Sequence, residues 1–261
     1  MVWRQTTPDG TAMPEGDTIW RTAAGLRERV GGGTVGAAAP VRFQRLVGRR
    51  LEAVEPVGKH LLMRFSGGWT LHSHMRMTGS WHLYRPGERW RRPRHLARIV
   101  LTFEEWEAVC FAAPVLELVR DGREPVRHLG PDALGDDFPL DQVVARARSA
   151  GPVALGELLL DQRVCSGIGN VYKCEALWQM GLDPWRASDQ VSDQELAALF
   201  TAARTALRDN VTRAAPRRFD GHPAAVHGRR GRPCPRCRTV IRARAQGPEA
   251  RITYWCPTCQ A

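Results

Sequence analysis

Seven cysteines occur in the chain, and four of them form two CxxC pairs near the C-terminus, Cys234 with Cys237 and Cys256 with Cys259. A CxxC turn lets two thiolates meet one ion, and two such turns on facing hairpins close a tetrahedral four-sulfur site. Eighteen residues separate the pairs, enough for "TVIRARA" and "RITYW" to be the two strands between them. The expected occupant is one structural zinc ion per chain, because a redox CxxC sits beside a βαβ pattern that is missing here. A hairpin this small buries too little core to fold alone, so metal binding supplies its folding energy. Arg229, Arg230, Arg232, Arg236, Arg238, Arg242, Arg244 and Arg251 crowd the same segment, where acids are scarce. A structural knuckle has no need of one-sided charge, so the hairpin is expected to lie against a phosphate backbone.

Two other stretches carry candidate chemistry. In "TAMPEGDTIW", Met13 stands directly before Pro14, Glu15 and Gly16. In a chain that begins at Met13 and loses it, the Pro14 nitrogen is a free secondary amine and not a peptide nitrogen. In "CSGIGNVYKCEALW", Gly167-Ile168-Gly169 reads as a tight turn and Asn170 as the opening of a helix. Exposed backbone N–H groups at a helix start favour a phosphate. Each stretch also has a plain structural reading. Pro-Glu starts helices, a GxG corner packs helices together, and an isolated Gly58-Lys59 is a solvated strand edge.

The elements that must position these groups follow from periodicity. A helix is expected after Asp17 or Thr18, with Ile19, Ala23, Leu26 and Val30 on one face and Gly31-Gly32-Gly33 as its stop. From Arg49 to Val119 short apolar runs ("HLLMRF", "WTLHSHM", "SWHLY", "ARIVLTF", "AVCFAA") predict antiparallel strands, with turns at Gly67-Gly68 and Glu104-Glu105. "RPGERWRRPRH" reads as a mobile basic loop. "LGPDALGDDFP" reads as a linker. Helices are expected over 138–149, 152–164, 170–180 and 192–213, the last capped by Asp189 or Ser192. Residues 214–233 form a basic Pro/Gly-rich connector. The fold class is α+β, an N-terminal helix and β-sandwich followed by a helical domain and a metal hairpin. The domains are 13–120, a linker at 121–137, 138–215 and 229–261, with 1–12 read as a disordered tail or a start-site extension.

A chain of 261 residues with net charge +11 and pI about 10.2 suits a polyanionic partner, nucleic acid before acidic membrane. No apolar run is long enough to span a bilayer, and no secretory signal opens the chain. The expectation is a soluble, intracellular protein.

Taken together, "MPEGDTIW", "GKHLLMRF", "HMRMTGSW", "LGPD", "LLLDQRVCSGIGNVYKCEALW" and "RITYWCPTCQ" occur in the order found in the formamidopyrimidine-DNA glycosylase/endonuclease VIII family. The sequence resembles that family from Met13 to the C-terminus. The resemblance implies a helix–two-turns–helix domain ending in a zinc finger. It implies a bifunctional DNA glycosylase and AP lyase acting on damaged duplex as a monomer, without a small-molecule cofactor, in the bacterial cytoplasm at the nucleoid. By the same resemblance the Pro14 nitrogen attacks C1′ of the damaged nucleotide and forms a cationic imine. Glu15 protonates the ring oxygen and then shuttles protons, and Lys59 contacts a phosphate near the lesion. Asn170, with Gly169 before it, and Arg251 grip phosphates flanking the flipped nucleotide. Arg76 and Met77 fill the gap that the flipped base leaves, Met77 being the wedge and plain core packing its alternative.

The sequence departs from the family in three places. Residues 1–12 would leave the Pro14 nitrogen an amide, Thr18 replaces a second glutamate, and Arg238 replaces the glycine usual after the second cysteine. "PEGDT", and the lack of an Arg–Phe pair in "CFAAPVLELV", favour the endonuclease VIII branch and oxidised pyrimidines. The alternatives are an 8-oxoguanine/formamidopyrimidine enzyme and, if Pro14 stays blocked, a non-catalytic zinc-dependent binder of damaged DNA.

Overall fold

In the computed structural model, residues 14–212 and 224–261 are described. The chain divides into two compact units, residues 1–128 and 129–261. Residues 1–13, with the extension and Met13, and part of the basic connector lie outside the described residues.

The first unit opens with helix α1 (Gly16–Val30). Ile19, Ala23, Leu26 and Val30 all face the core, as the helical spacing predicts. Glu15 is the cap position, not Asp17 or Thr18, and its carbonyl accepts the N–H of Thr18 (3.0 Å) and Ile19 (3.2 Å). Gly31 ends the helix through a bond to the Arg27 carbonyl. Eight strands follow: β1 (Ala37–Ala39), β2 (Leu51–Val57), β3 (His60–Phe65), β4 (Trp69–His74), β5 (Ser80–Tyr84), β6 (Ala97–Thr102), β7 (Glu107–Phe111) and β8 (Val115–Val119). They form two antiparallel sheets, in the orders β1-β6-β7-β5 and β2-β3-β4-β8. One core joins α1 to both sheets, with Leu61, Met63, Phe65 and Leu71 from one and Ile99, Leu101 and Cys110 from the other. Alternation along β3 and β4 sends His60, His72 and His74 to the opposite face of their sheet.

The segment expected as a mobile basic loop is tied down instead. Trp90 stacks on Tyr84, meets Phe111 edge-on and donates its indole N–H to Glu107 (3.2 Å). Arg92 reaches back to the Thr78 carbonyl (3.1 Å) and the Ser80 hydroxyl (2.9 Å). Polarity hid this anchor because a single tryptophan supplies it.

The second unit holds α2 (Leu140–Ser149), α3 (Leu155–Leu158), α4 (Asn170–Met180), α5 (Asp193–Thr212), β9 (Arg242–Gln246) and β10 (Arg251–Trp255). Ser192 caps α5, taking the Glu195 N–H on its hydroxyl while Glu195 accepts the Ser192 N–H. The helix expected over 152–164 is only one turn, α3. Gln162 explains why: its amide donates to the carbonyls of Leu160 and Ile168 and accepts the Gly167 N–H. These bonds knit residues 160–168 into two turns. The expected linker is not free chain either, since Ala133 is buried and the Gly130 N–H bonds the Gln162 carbonyl. The zinc-type hairpin packs inside this unit, against α4.

Candidate active site and nucleic-acid interface

Pro14 and Glu15 stand at the start of α1, so the helix fixes both. Glu15 is 5% exposed, unusual for a carboxylate, and Pro14 is half-buried. α1 packs along β2, where Arg27 Nε donates to the Val54 carbonyl (2.6 Å). β2 and β3 are joined by the two-residue turn Gly58-Lys59, with Val57 paired to His60. Gly58 has φ 56°, a backbone shape that glycine adopts without strain. Lys59 is held at the tip with 9% exposure, so it is no solvated edge lysine.

Next to Lys59 lies a histidine group that the motifs did not single out. His60 Nδ1 is 2.8 Å from His72 Nε2, and His72 Nδ1 is 2.7 Å from Glu117 Oε1. His74 meets His60 edge-on at 4.6 Å and accepts the Arg76 backbone N–H at Nδ1. Burial first, then neighbouring charges that include Lys59, push His60 down to about 3 and His74 down to about 4. Both rings are therefore neutral at physiological pH. The signal was in the sequence: "KHLL" and "HSH" on paired antiparallel strands put alternate residues on one face.

The turn after β4 carries Arg76, Met77 and Thr78. Arg76 has φ 42°, the Gly79 N–H closes on the Met75 carbonyl (2.7 Å), and Thr78 donates its hydroxyl to the Ala112 carbonyl (2.8 Å). Met77 is 43% exposed at the tip, which excludes plain core packing. The matching β7–β8 turn is Ala112-Ala113-Pro114, without a long side chain.

In the second unit the structure brings Asn170 and the start of β10 together. Gly169 caps α4, and Asn170 Nδ2 donates to the carbonyl of Ile252 (2.9 Å), the neighbour of Arg251. Arg251 holds Glu249 through two bonds of 2.7 and 2.9 Å. A phosphate would have to replace that carboxylate. Two further residues of α4 set this geometry. Lys173, fully buried, donates to the Thr253 hydroxyl (2.7 Å), which donates to Gln246 (2.6 Å). Glu175 accepts the backbone N–H groups of Ala225, Val226 and His227 at 2.7 to 3.0 Å. His227 then stacks edge-on against Tyr254 and approaches Asn170 Nδ2 at 3.4 Å. Burial and Lys173 hold its imidazole down to about 4, so it is neutral.

The ligand atoms of Cys234, Cys237, Cys256 and Cys259 all lie within 4.8 Å of one another. Two sulfur pairs are 3.9 and 3.4 Å apart. A tetrahedron with zinc–sulfur bonds of about 2.3 Å has edges of about 3.8 Å, so the four thiols fit one such metal ion. The Trp178 indole N–H points at Cys234 Sγ (3.4 Å), and Gln260 accepts the Cys256 N–H (2.9 Å). Arg238 adopts φ 67°, which explains why glycine is usual there.

A helix–two-turns–helix unit with a four-cysteine hairpin, in one chain with a β-sandwich unit whose first helix follows Pro-Glu, defines a class of DNA-repair enzyme. A profile of the formamidopyrimidine-DNA glycosylase N-terminal domain matches residues 13–114, and one of the H2TH domain of that glycosylase matches 129–217. The chain belongs to the formamidopyrimidine-DNA glycosylase family, which includes the endonuclease VIII enzymes. It is 42% identical to "Probable endonuclease 8 2" of Streptomyces coelicolor over 261 residues, 95% of this chain and 94% of the relative. It is 37% identical to "DNA-(apurinic or apyrimidinic site) lyase Nei2" of Mycolicibacterium smegmatis over 261 residues, 95% of this chain and 99% of the relative. The fold matches Lactococcus lactis Fpg in complex with abasic-site DNA at TM-score 0.82 and 19% identity, covering 95% of this chain and all of that one. Among the described residues, no helix is long and apolar enough to cross a membrane.

Proposed function

We propose that the chain removes oxidised pyrimidines from duplex DNA and cleaves the resulting site by β,δ-elimination. The observation that carries this reading is a pair of buried charged side chains, Glu15 at the start of α1 and Lys59 at the β2–β3 tip. A free Pro14 nitrogen adds to C1′ of the flipped nucleotide, and the base leaves with the glycosidic electron pair. Glu15 protonates the ring oxygen, which opens the sugar and leaves a cationic imine on the Pro14 nitrogen. The imine acidifies the C2′ hydrogen. Its removal expels the 3′ phosphate, and a second elimination expels the 5′ phosphate. An α-amine titrates near roughly pH 8, so a useful fraction is neutral at physiological pH.

Lys59 holds a phosphate beside the lesion. Asn170 and Arg251 hold phosphates from the second unit, and Met77 enters the stack as the base leaves it. Zinc, bound by Cys234, Cys237, Cys256 and Cys259, supplies structure and no chemistry. The preference for pyrimidines rests on the Ala112-Ala113 turn, which lacks the Arg–Phe tip of the 8-oxoguanine branch. The setting is the bacterial cytoplasm, with the protein acting as a monomer.

Borohydride trapping tests the mechanism, with protein started at Met13 and an abasic duplex. A covalent adduct mapped to Pro14, and lost in Pro14→Gly with DNA binding intact, is the expected result. Binding without an adduct would make the protein a non-catalytic binder of damaged DNA.

A further inference from the structure

The chain His60–His72–Glu117 has no part in the mechanism above, yet it ends beside Lys59. Its hydrogen bonds are satisfied by one set of tautomers. The Glu117 carboxylate accepts, so His72 Nδ1 carries a proton. With its Nδ1 proton hydrogen-bonded to Glu117, His72 presents Nε2 as an acceptor, to which His60 donates from Nδ1. Neutral His60 is left with a bare lone pair at Nε2. The groups that face His60 are Lys59 from its own strand end, His72 and His74 from β4, and His128 edge-on at 6.1 Å. Glu117 on β8 stands behind His72, and Arg76 lies beyond His74. Every positive influence in that set opposes protonation of His60, and burial opposes it further. A phosphate docked at Lys59 reverses the sign of the local field.

We propose that His60, backed by His72 and Glu117, is a proton-linked phosphate contact that takes up one proton when DNA docks beside Lys59. This deepens, and rests on, the reading of the chain as a DNA glycosylase. The balance is simple. A proton from water enters at His60 Nε2, and His60 becomes an imidazolium that still donates from Nδ1 to His72 Nε2. From Nε2 it donates to the phosphate. His72 stands between that imidazolium and the Glu117 carboxylate, 2.7 Å from its Nδ1. Nothing is oxidised, and one proton is gained. Glu117 and His72 are positioning residues; His60 touches the phosphate.

The sign follows from linkage. The docked cluster binds its proton more tightly than the free one, so affinity falls as pH rises through the docked value. Between the free and docked values the loss approaches about tenfold per pH unit, and above the docked value it levels off. Glu117→Gln keeps an acceptor for His72 Nδ1 but removes the charge that holds the imidazolium. The Glu117 side chain is 51% exposed, so the variant is tolerated by the fold.

The test is calorimetric titration of the full chain with a duplex bearing one tetrahydrofuran site, near about pH 6.5, in two buffers of different ionisation heat. The wild type is expected to bind about one proton more per duplex than Glu117→Gln or His60→Gln. Equal proton uptake by all three proteins would overturn the proposal. Borohydride trapping of the same preparations on an abasic duplex separates the two readings. Trapping with equal proton uptake sinks the relay alone, whereas failure to bind either duplex sinks the glycosylase reading and the relay with it.

Discussion

Glu175→Gln is the perturbation whose size the structure best defines. The carboxylate, on a half-buried residue of α4, accepts three backbone N–H groups, from Ala225 (2.7 Å), Val226 (3.0 Å) and His227 (2.9 Å). One oxygen takes Val226 and His227, and the other takes Ala225. A glutamine in the same rotamer keeps the first two bonds but makes them neutral, a loss of about 1 kcal/mol each. Its amide N–H₂ faces the Ala225 N–H, so that donor loses its partner at about 1–3 kcal/mol. Against this, glutamine removes the cost of burying a charge, which is what pushes the Glu175 carboxyl above its ordinary range. The net expectation is a loss of about 2 kcal/mol at neutral pH. The assay is urea unfolding of the zinc-loaded protein, with amide exchange at Ala225–His227 as the local readout. The pH signature adds a check. The folded carboxyl titrates above the unfolded one, so this group contributes stability that is present at low pH and lost as pH rises through its folded value. Glu175→Gln should abolish that slope. A variant within about 0.5 kcal/mol of wild type, with amide protection intact, would refute the view that this carboxylate anchors His227 beside Asn170.

Three other outcomes are expected. Met77→Ala should slow release of a damaged base by about tenfold, one lost apolar wedge, and spare reaction at a preformed abasic site; equal slowing on both substrates would argue against a wedge. Cys256→Ser or metal chelation should unfold the β9–β10 hairpin and weaken binding to every duplex, which circular dichroism and gel shift would record together; unchanged affinity would remove the hairpin from the interface. Arg238→Gly should stabilise the second unit by about 0.5–1 kcal/mol, read as a higher unfolding midpoint, since φ 67° strains any residue with a Cβ; a lower midpoint would show that the arginine side chain contributes more than its backbone costs.

What could be read before folding was whatever depends on short spacing. Two thiols three residues apart must share a turn, so the metal site follows from "CPRC" and "CPTC". The face of α1 follows from the recurrence of Ile19, Ala23, Leu26 and Val30, and all four are buried. Strands β3 to β7 follow from their apolar runs. The one-turn α3 did not, because Gln162 competes for the backbone through side-chain bonds that helical periodicity does not register. Trp90 is a similar case, one aromatic residue outweighing seven polar or charged neighbours in the same segment.

The site divides along the same line. Pro14, Glu15 and Lys59 can be singled out as candidates because the chemistry proposed for each belongs to a single group. The chain His60–His72–Glu117 acts only as a set, and its members lie twelve and forty-five residues apart. Only the register of β3 on β4 and of β4 on β8 makes them neighbours, pairing His72 with Glu117 directly. Their charge state is a property of the same assembly. A histidine in an exposed loop titrates near about 6.5, within the physiological range. Buried, and held beside three other imidazoles and Lys59, His60 falls to about 3. A sequence pattern therefore names which groups are candidates, while the register of the sheet decides which of them are neighbours and so what charge each carries.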